Sequence, residues 1–434
     1  MPDYRNKEIW LPDADLPRVV VVGAGFAGIS LIKKLHRQPV SVVLIDANNF
    51  HQFQPLFYQV ATSGLEPDAI SFPVRKLFKG YKNFLFRMAC VEEVKPEQKR
   101  IYTDEGYVDY KFLVLATGSK TNFYGLNSVE KYGIGLKSLK ESIDLRSLML
   151  ENLEKAAITT DEEERHRLTN VVIVGGGPAG VEMAGALAEY KRYVLPKDYP
   201  YFCDDTMKIY LVEAGSNLLA SMSQASSETT LNDLRDMGVN VLLNKAVKSY
   251  NGQIVDLGNN EWLAAATLVW TAGVKGDFPQ GMEHAIIVPG NRLKVNEYNQ
   301  VNGYKNIFAI GDVGGMVSEE FPRGHPMVAP AAIQQGEHLA KNIQNLLMDK
   351  PLTSFTYRDK GALATIGKKR AVADLSGRHF KGFFAWIIWS TVHLLSIIGF
   401  KNKVFVGLNW LGSYISYDKG NRLIIRKYQR GQSD

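Results

Sequence analysis

Cysteine is almost absent from this chain, with two residues in 434, Cys90 and Cys203, far apart in sequence. Neither sits in a C-x-x-C pair or beside a histidine cluster, so neither a disulfide framework nor a zinc site is indicated, and a reducing compartment fits. The stretch from Met1 to Pro17 mixes acidic with basic residues and has no apolar core, so no secretory or transit peptide is expected. Dense Lys/Arg blocks and RNA-binding aromatic motifs are also missing. A net charge of +6 is modest for this length, so nucleic acid is not an expected partner, and an anionic membrane surface is the better reason for a mildly basic chain. Disordered and collagen-like classes are excluded by 45% hydrophobic and 22% charged residues, and the length suffices for two or three domains with full cores.

What the chain does have is glycine in two ordered loops. Gly23-Ala24-Gly25-Phe26-Ala27-Gly28 follows the apolar run Val19 to Val22, and Gly175-Gly176-Gly177-Pro178-Ala179-Gly180 follows Val171 to Val174. Each reads as strand, tight turn and a helix beginning at the third glycine. This is the order a pyrophosphate site needs, because glycines let the backbone approach the phosphates and a helix N-terminus supplies amide donors. Two such loops predict two bound dinucleotides, one a fixed cofactor and one a substrate. After the first loop a helix from Ile29 to Arg37 and a strand from Val40 to Ile45 end in Asp46, about 20 residues on, the spacing at which a carboxylate accepts ribose hydroxyls. In the second unit Glu213 ends the strand Ile209 to Val212 after the insertion Tyr190 to Met207. Its negative charge favours NADH over NADPH.

Two later strands end in small-residue turns, Leu113 to Ala116 with Thr117-Gly118, and Leu268 to Thr271 with Ala272-Gly273. Each follows its loop by about 95 residues, so the chain reads as an internal repeat at domain scale. Asn306 to Val313 is a further apolar strand ending in Gly311-Asp312, placed to bond a ribityl chain at the carboxyl end of a sheet. The stretch Glu151 to Arg167, dense in charge and helix-prone, reads as a solvated connector rather than core.

Taken together the chain resembles the two-dinucleotide-binding-domain flavoproteins. Within them, Asn49-Phe50-His51-Gln52-Phe53-Gln54-Pro55-Leu56-Phe57-Tyr58-Gln59-Val60-Ala61-Thr62 and Ala329-Pro330-Ala331-Ala332-Ile333-Gln334-Gln335-Gly336-Glu337 resemble segments of type II NADH:quinone oxidoreductases. The second is that family's A-Q-x-A-x-Q quinone segment, with Pro330 in place of the first glutamine and Gln334 keeping the second. The resemblance implies an α/β fold of two Rossmann-like domains, the second inserted in the first: FAD-binding over 1–125, NADH-binding over 126–285, a return to the FAD domain over 286–350 and a C-terminal membrane-anchoring region over 351–434. It implies FAD on Gly23, Gly25, Gly28, Asp46, Thr117, Gly118, Gly311 and Asp312, and NADH on Gly175, Gly177, Gly180, Glu213 and Gly273. No cysteine pair follows the first loop and none lies after Cys203, so electrons leave the flavin directly, unlike those of the superfamily's disulfide reductases and sulfide:quinone oxidoreductases.

From Gly382 to Phe400 charge nearly vanishes over about 19 residues, enough for a helix of about 28 Å against a hydrocarbon core of about 30 Å. A spanning helix is therefore a rival here, since the apolar residues run all round the wheel. Beyond it Val404, Leu408, Leu411 and Ile415 recur at helical spacing between Lys401, Lys403 and Lys419, the pattern of a helix lying in the interface. The resemblance implies the same monotopic attachment, on the cytoplasmic face of a bacterial inner membrane.

The function expected is FAD-dependent, non-proton-pumping oxidation of NADH with two-electron reduction of a membrane quinone. The resemblance implies that Gln334 and Lys369 line the quinone's path; with Lys368 and Arg370 beside it the register at Lys369 stays open, and a solvated basic turn is the alternative there. Glu182, read as lying in the first turn of the second loop's helix, is expected either to position NADH or to relay the quinone's protons, against a plain helix-dipole carboxylate. A soluble NADH-dependent ferredoxin- or rubredoxin-type reductase, or a flavin-binding redox sensor, is the alternative, and a homodimer is left open by the sequence.

Overall fold

The computed structural model describes residues 7–12, 15–203, 205–416, 420–424 and 428. They form two compact units, each assembled from three stretches of chain: Met1–His51, Phe72–Lys120 and Val274–Asp359 in the first, Gln52–Ser71, Thr121–Gly273 and Lys360–Asp434 in the second.

The first unit is built on a parallel sheet in the order Ile307–Ala309, Phe112–Leu115, Arg18–Val22, Ser41–Asp46, Phe84–Met88. Its inner strands are nearly unbroken runs of Val, Ile and Leu and are buried along their length, as strands covered on both faces must be. The glycine-loop strand lies where strand order reverses, with its neighbours crossing over in opposite directions, the position at which such sheets bind ligands. Helix Ala329–Leu347 packs on helix Phe26–Leu35, and the approach is so close that a Cβ on Gly336 would strike the Ala27 carbonyl. Pro330 stands in that helix's first turn, where a missing N–H costs nothing.

The second unit repeats the plan with a parallel sheet in the order Ile134–Gly135, Thr267–Trp270, Val171–Val174, Ile209–Val212, Val239–Leu242. Helix Leu139–Ile158 opens with a reciprocal cap in which Ser138 and Glu141 satisfy each other's backbone N–H groups, a start signal worth about 1 kcal/mol. This helix and the next, Glu162–Thr169, agree with the helix-prone character of Glu151 to Arg167 but not with its reading as a solvated connector rather than core. The charges lie outside, while Asn152, Leu153, Ala156 and Leu168 are buried.

The helices after both loops start earlier than the third glycine, at Phe26 and Pro178. Glu182 is consequently in the second turn of helix Pro178–Tyr193, beyond the few residues that feel the helix terminus.

In the same unit the C-terminal stretch forms an antiparallel sheet, Ala362–Gly367, Arg370–Leu375 and Arg378–Lys381. It is laid so tightly on helix Pro178–Tyr193 that a Cβ on Gly185 would strike the Ile366 carbonyl. Helices Gly382–Ser396 and Phe400–Ser416 follow. The apolar run from Gly382 to Phe400 is not one rod: the helix ends at Ser396 and the next starts at Phe400. Among the described residues no helix is long and apolar enough to cross a membrane. The run is apolar on its buried and on its exposed side alike. Ala385 and Trp389 are buried, while Phe383, Phe384, Ile387 and Leu395 are exposed. On the second helix Val404, Leu408 and Leu411 are exposed too. The Ile415 side chain and Lys419 lie outside the described residues.

Candidate functional site

In the first unit the loop after Arg18–Val22 turns at Gly23, where φ is +110° and a Cβ would strike the Ala116 carbonyl. Gly28 brings the helix onto the loop, since a Cβ there would strike the Gly23 carbonyl. Asp46 reaches back so that its carboxylate accepts the Ala24 N–H at 2.6 Å and the Asn48 N–H at 2.7 Å. Burial pushes this carboxyl up from its usual range while those two N–H groups pull it down. Asp312 follows strand Ile307–Ala309 and accepts the Ser119 hydroxyl. Gly311 is held by the buried amide of Gln335, whose oxygen accepts its N–H at 2.7 Å. Thr117 donates its hydroxyl to the Asp277 carbonyl.

These residues fit a dinucleotide. Beside Gly118 a Cβ would meet nothing within 4 Å, and beside Gly25 only one carbonyl at 4.0 Å, so the backbone there is open to a ligand. His51 bonds the Ala24 carbonyl through Nδ1 at 2.9 Å, and its buried Nε2 has no protein partner. Burial pushes the imidazole down to about 4, so at neutral pH it is uncharged and its Nε2 is available to a bound group.

The second loop is a near copy. Gly175 has φ +110°, Gly180 approaches the Gly175 carbonyl, and nothing lies within 4 Å of a Cβ on Gly177. Glu213 plays the part of Asp46, accepting the Gly176 and Gly215 N–H groups at 2.6 Å each. Gly273 differs from its expected role: the space over it is filled by the Tyr124 ring.

The second unit also holds a cavity of about 120 Å³. Helix Pro178–Tyr193 lines it with Glu182, Ala186, Glu189 and Tyr193, strand Ala362–Gly367 with Thr365 and Ile366, and the C-terminal helices with Trp386, Trp389, Asn409 and Trp410. Tyr58, Gln59 and Thr62 close another wall. Gln59 is fixed at both ends, its oxygen accepting the Trp410 indole N–H at 2.9 Å and its amide donating to Tyr58 Oη at 2.8 Å. Trp389 stacks on His393 at 4.3 Å and leans on Trp410 at 5.3 Å. These aromatic walls suit a flat ring.

Glu182 is the buried carboxyl of this cavity. One of its oxygens accepts the Thr365 N–H at 3.4 Å and the Trp389 indole N–H at 3.2 Å. Burial pushes its carboxyl up to about 8 against those two donors, so at neutral pH it holds a proton it can give away.

Of the other expected site residues, Lys369 is exposed at the hairpin tip with φ 64°, and the neighbour that lines the cavity is Lys368. Gln334, in the first unit, exchanges hydrogen bonds with the Arg358 backbone at 3.0 and 3.1 Å. Tyr58, Gln59, Trp389 and Gln335 were not singled out from sequence, and Trp410 was noted only as part of the family-like tail. The first two lie inside the Asn49 to Thr62 stretch, whose dense aromatic and amide content was the available signal.

Two glycine loops on two parallel sheets define a pyridine-nucleotide oxidoreductase of the two-unit kind, and the family described as pyridine nucleotide-disulphide oxidoreductase matches residues 17–336. An NDH2 C-terminal domain matches residues 360–416. The type II NADH:quinone oxidoreductase of Haemophilus influenzae is 30% identical, over 94% of this chain and 98% of that protein. The type II NADH:quinone oxidoreductase Ndh of Mycobacterium tuberculosis is 29% identical, over 95% and 92%. The chain belongs to the type II NADH:quinone oxidoreductases. Its fold matches that of NDH2 from Plasmodium falciparum, solved in complex with NADH, with a TM-score of 0.84 at 22% identity, covering 94% of this chain and 100% of that one.

Proposed function

We infer that this chain oxidises NADH and reduces a quinone by two electrons without pumping protons, and that the Glu182 cavity receives the quinone ring. The observation that carries this is a buried carboxyl in an aromatic cavity, its hold on a proton strengthened by burial, on the same helix whose N-terminus faces the second glycine loop. FAD, bound on the first loop, supplies the two-electron relay between nicotinamide and quinone. The chain's own residues do the rest. Asp46 and Asp312 hold the cofactor's ribose and ribityl hydroxyls, Glu213 holds the NADH ribose, and Glu182 delivers a proton as the quinone takes up charge. Trp389 keeps the carboxyl aimed through its indole N–H. Gln334, whose amide is engaged by Arg358, and Lys369, at an exposed turn, are assigned no step.

In this reading the exposed faces of helices Gly382–Ser396 and Phe400–Ser416 rest in the lipid interface, where Phe384, Leu395, Leu408 and Leu411, each more than 60% exposed, lose water. At about 1.5–3 kcal/mol for each fully buried side chain, four suffice for stable attachment. The quinone then reaches the cavity from the membrane, on the cytoplasmic side where NADH is supplied.

The test is steady-state NADH oxidation by the flavin-loaded protein in detergent, with and without a short-chain quinone and with NADPH in parallel. Fast, quinone-dependent loss of NADH with little NADPH activity is expected. Flavin that NADH reduces but quinone leaves reduced would move the acceptor to a protein partner and overturn the assignment of the cavity.

A further inference from the structure

A hollow of about 320 Å³ in the first unit has no part in the chemistry above; it is lined by residues 7–10 and by Arg87, Met88, Ala89 and Glu105. Its outer wall is an N-terminal arm that lies ahead of the family match, which begins at residue 17. The arm is held as an added strand: Ile9 donates to the Tyr107 carbonyl and Tyr107 to the Lys7 carbonyl, both at 2.9 Å. Gly106 permits this, because a Cβ there would strike the Lys7 carbonyl. Arg87 pins the arm's far end, its Nε and Nη2 donating to the Trp10 carbonyl at 3.2 and 2.8 Å. Its guanidinium also lies 5.8 Å from the Trp10 ring centre.

The position of the hollow is informative. Met88 is the register partner of Asp46, and Ala89 donates to the Asp46 carbonyl at 3.1 Å. The hollow therefore starts one strand away from the carboxylate that bonds the first glycine loop. A nucleobase joined to the ribose held there must lie over the carboxyl ends of these two strands. Trp10 is 75% exposed and Met88 58% exposed at that spot. Both side chains line the hollow, and with the Arg87 guanidinium over the indole they offer an aromatic ring and a thioether on which a flat base can stack.

We propose that the Trp10 arm is a strap over the adenine of bound FAD, with the indole and Met88 stacking on the base and Arg87 holding the strap closed. This rests on the assignment of FAD to the first loop. Stacking of one base on an aromatic side chain corresponds to roughly a tenfold change in binding or more.

The experiment uses purified holoenzyme diluted into flavin-free buffer, following release by the rise in free-flavin fluorescence, for wild type, Trp10→Ala, Trp10→Phe and Arg87→Ala. Trp10→Ala and Arg87→Ala are expected to release FAD about tenfold faster or more, and Trp10→Phe to stay near wild type. In parallel, the emission lost in Trp10→Phe isolates the indole signal, which is expected to be quenched in holoenzyme and to return as FAD leaves. Equal release rates in all four proteins, or a Trp10 signal unchanged by FAD release, would overturn the strap while leaving the NADH and quinone assignments standing. Quenching of Trp10 in holoenzyme by added ADP would also overturn it, because the base site would then be open to a free nucleotide. Wild-type protein that purifies without flavin would remove both the strap and the reading beneath it.

Discussion

Replacing Glu182 by glutamine keeps the shape of the side chain and an acceptor for the Thr365 and Trp389 N–H groups, and removes only the titrating proton. In the folded protein burial holds this carboxyl at about 8, against an ordinary value of 4.5. Between those two values the folded state keeps the proton and the unfolded state has lost it, so wild-type stability falls as pH rises. The slope is about 1.4 kcal/mol per pH unit. The glutamine variant has no such slope from this site. Its extra amide hydrogens add a desolvation cost of about 1–3 kcal/mol, but that cost does not vary with pH. From pH 5.5 to 7.5 the variant should therefore gain about 3 kcal/mol on wild type, whatever their difference at the start. For a cooperative unit of about 250 residues each kcal/mol moves the midpoint by roughly 2 °C, so the gap between their melting temperatures should shift by about 6 °C over that range. Turnover should move the other way. Quinone-dependent NADH oxidation by wild type should decline above a pH of about 8, whereas the variant should be slow throughout, with flavin still bound and still reduced by NADH. A midpoint difference that stays constant from pH 5.5 to 7.5 would show that Glu182 is already ionised in the folded protein, and the proton-donor assignment would fall with it.

The two glycine loops separate by single substitutions: Gly28→Ala, which drives a Cβ into the Gly23 carbonyl, should yield protein without flavin, and Gly180→Ala, which does the same at Gly175, should keep flavin while raising the KM for NADH at least tenfold. Flavin absorbance and steady-state kinetics check both, and NADH kinetics unaffected by Gly180→Ala would exclude the second loop as the NADH site. Glu213→Ala removes the acceptor for Gly176 and Gly215 and the charge that repels a 2′-phosphate. The ratio of kcat/KM for NADH over NADPH should fall about tenfold; a ratio that does not move would relocate the selectivity. Attachment is tested at the exposed face, with Phe384, Leu408 and Leu411 changed together to serine. Flotation with anionic phospholipid vesicles should drop at least a hundredfold while activity on a water-soluble quinone survives, and undiminished flotation would put the anchor elsewhere. Cutting the chain near Leu352 is a poorer test, because it also strips strand Ala362–Gly367 from the backbone of Gly185.

The loops, their strands and both acidic partners were legible because their signals are local: an apolar run, glycines at fixed offsets and a carboxylate one βαβ unit later. Asp46 and Glu213 bond the same position of their loops, a contact with the loop backbone that the sequence reading, which gave them only ribose hydroxyls, did not include. Exact helix starts were not legible, since the helix can begin as soon as the second loop glycine has turned the chain. Nor was the connector, whose charge hid an inward stripe of Leu153 and Ala156. The tail was ambiguous for a physical reason. A helix that packs one apolar face on protein and exposes another has no polar side, so the wheel cannot separate it from a spanning rod. What ended that ambiguity was the break before Phe400.

The cavity was the least legible feature, and the reason lies in helix Pro178–Tyr193. Its N-terminus belongs to the nucleotide loop, and one turn further Glu182 and Ala186 already line the cavity. Gly185, between them in sequence, carries no side chain and lets the Ile366 carbonyl lie directly on the helix. That approach brings Thr365 within bonding range of Glu182 and sets the C-terminal sheet, and with it Trp389, over the carboxyl. Alanines and glycines in a helix that follows a nucleotide loop are first explained by close packing on the nucleotide. In the fold the first of them serve the nucleotide, whereas Gly185 and Ala186 make room for a strand from about 180 residues downstream. A carboxyl buried in this way depends on that distant contact. Glu182 can be read as a candidate from its own turn of helix, but the environment that raises its affinity for a proton is supplied by residues 365 to 389.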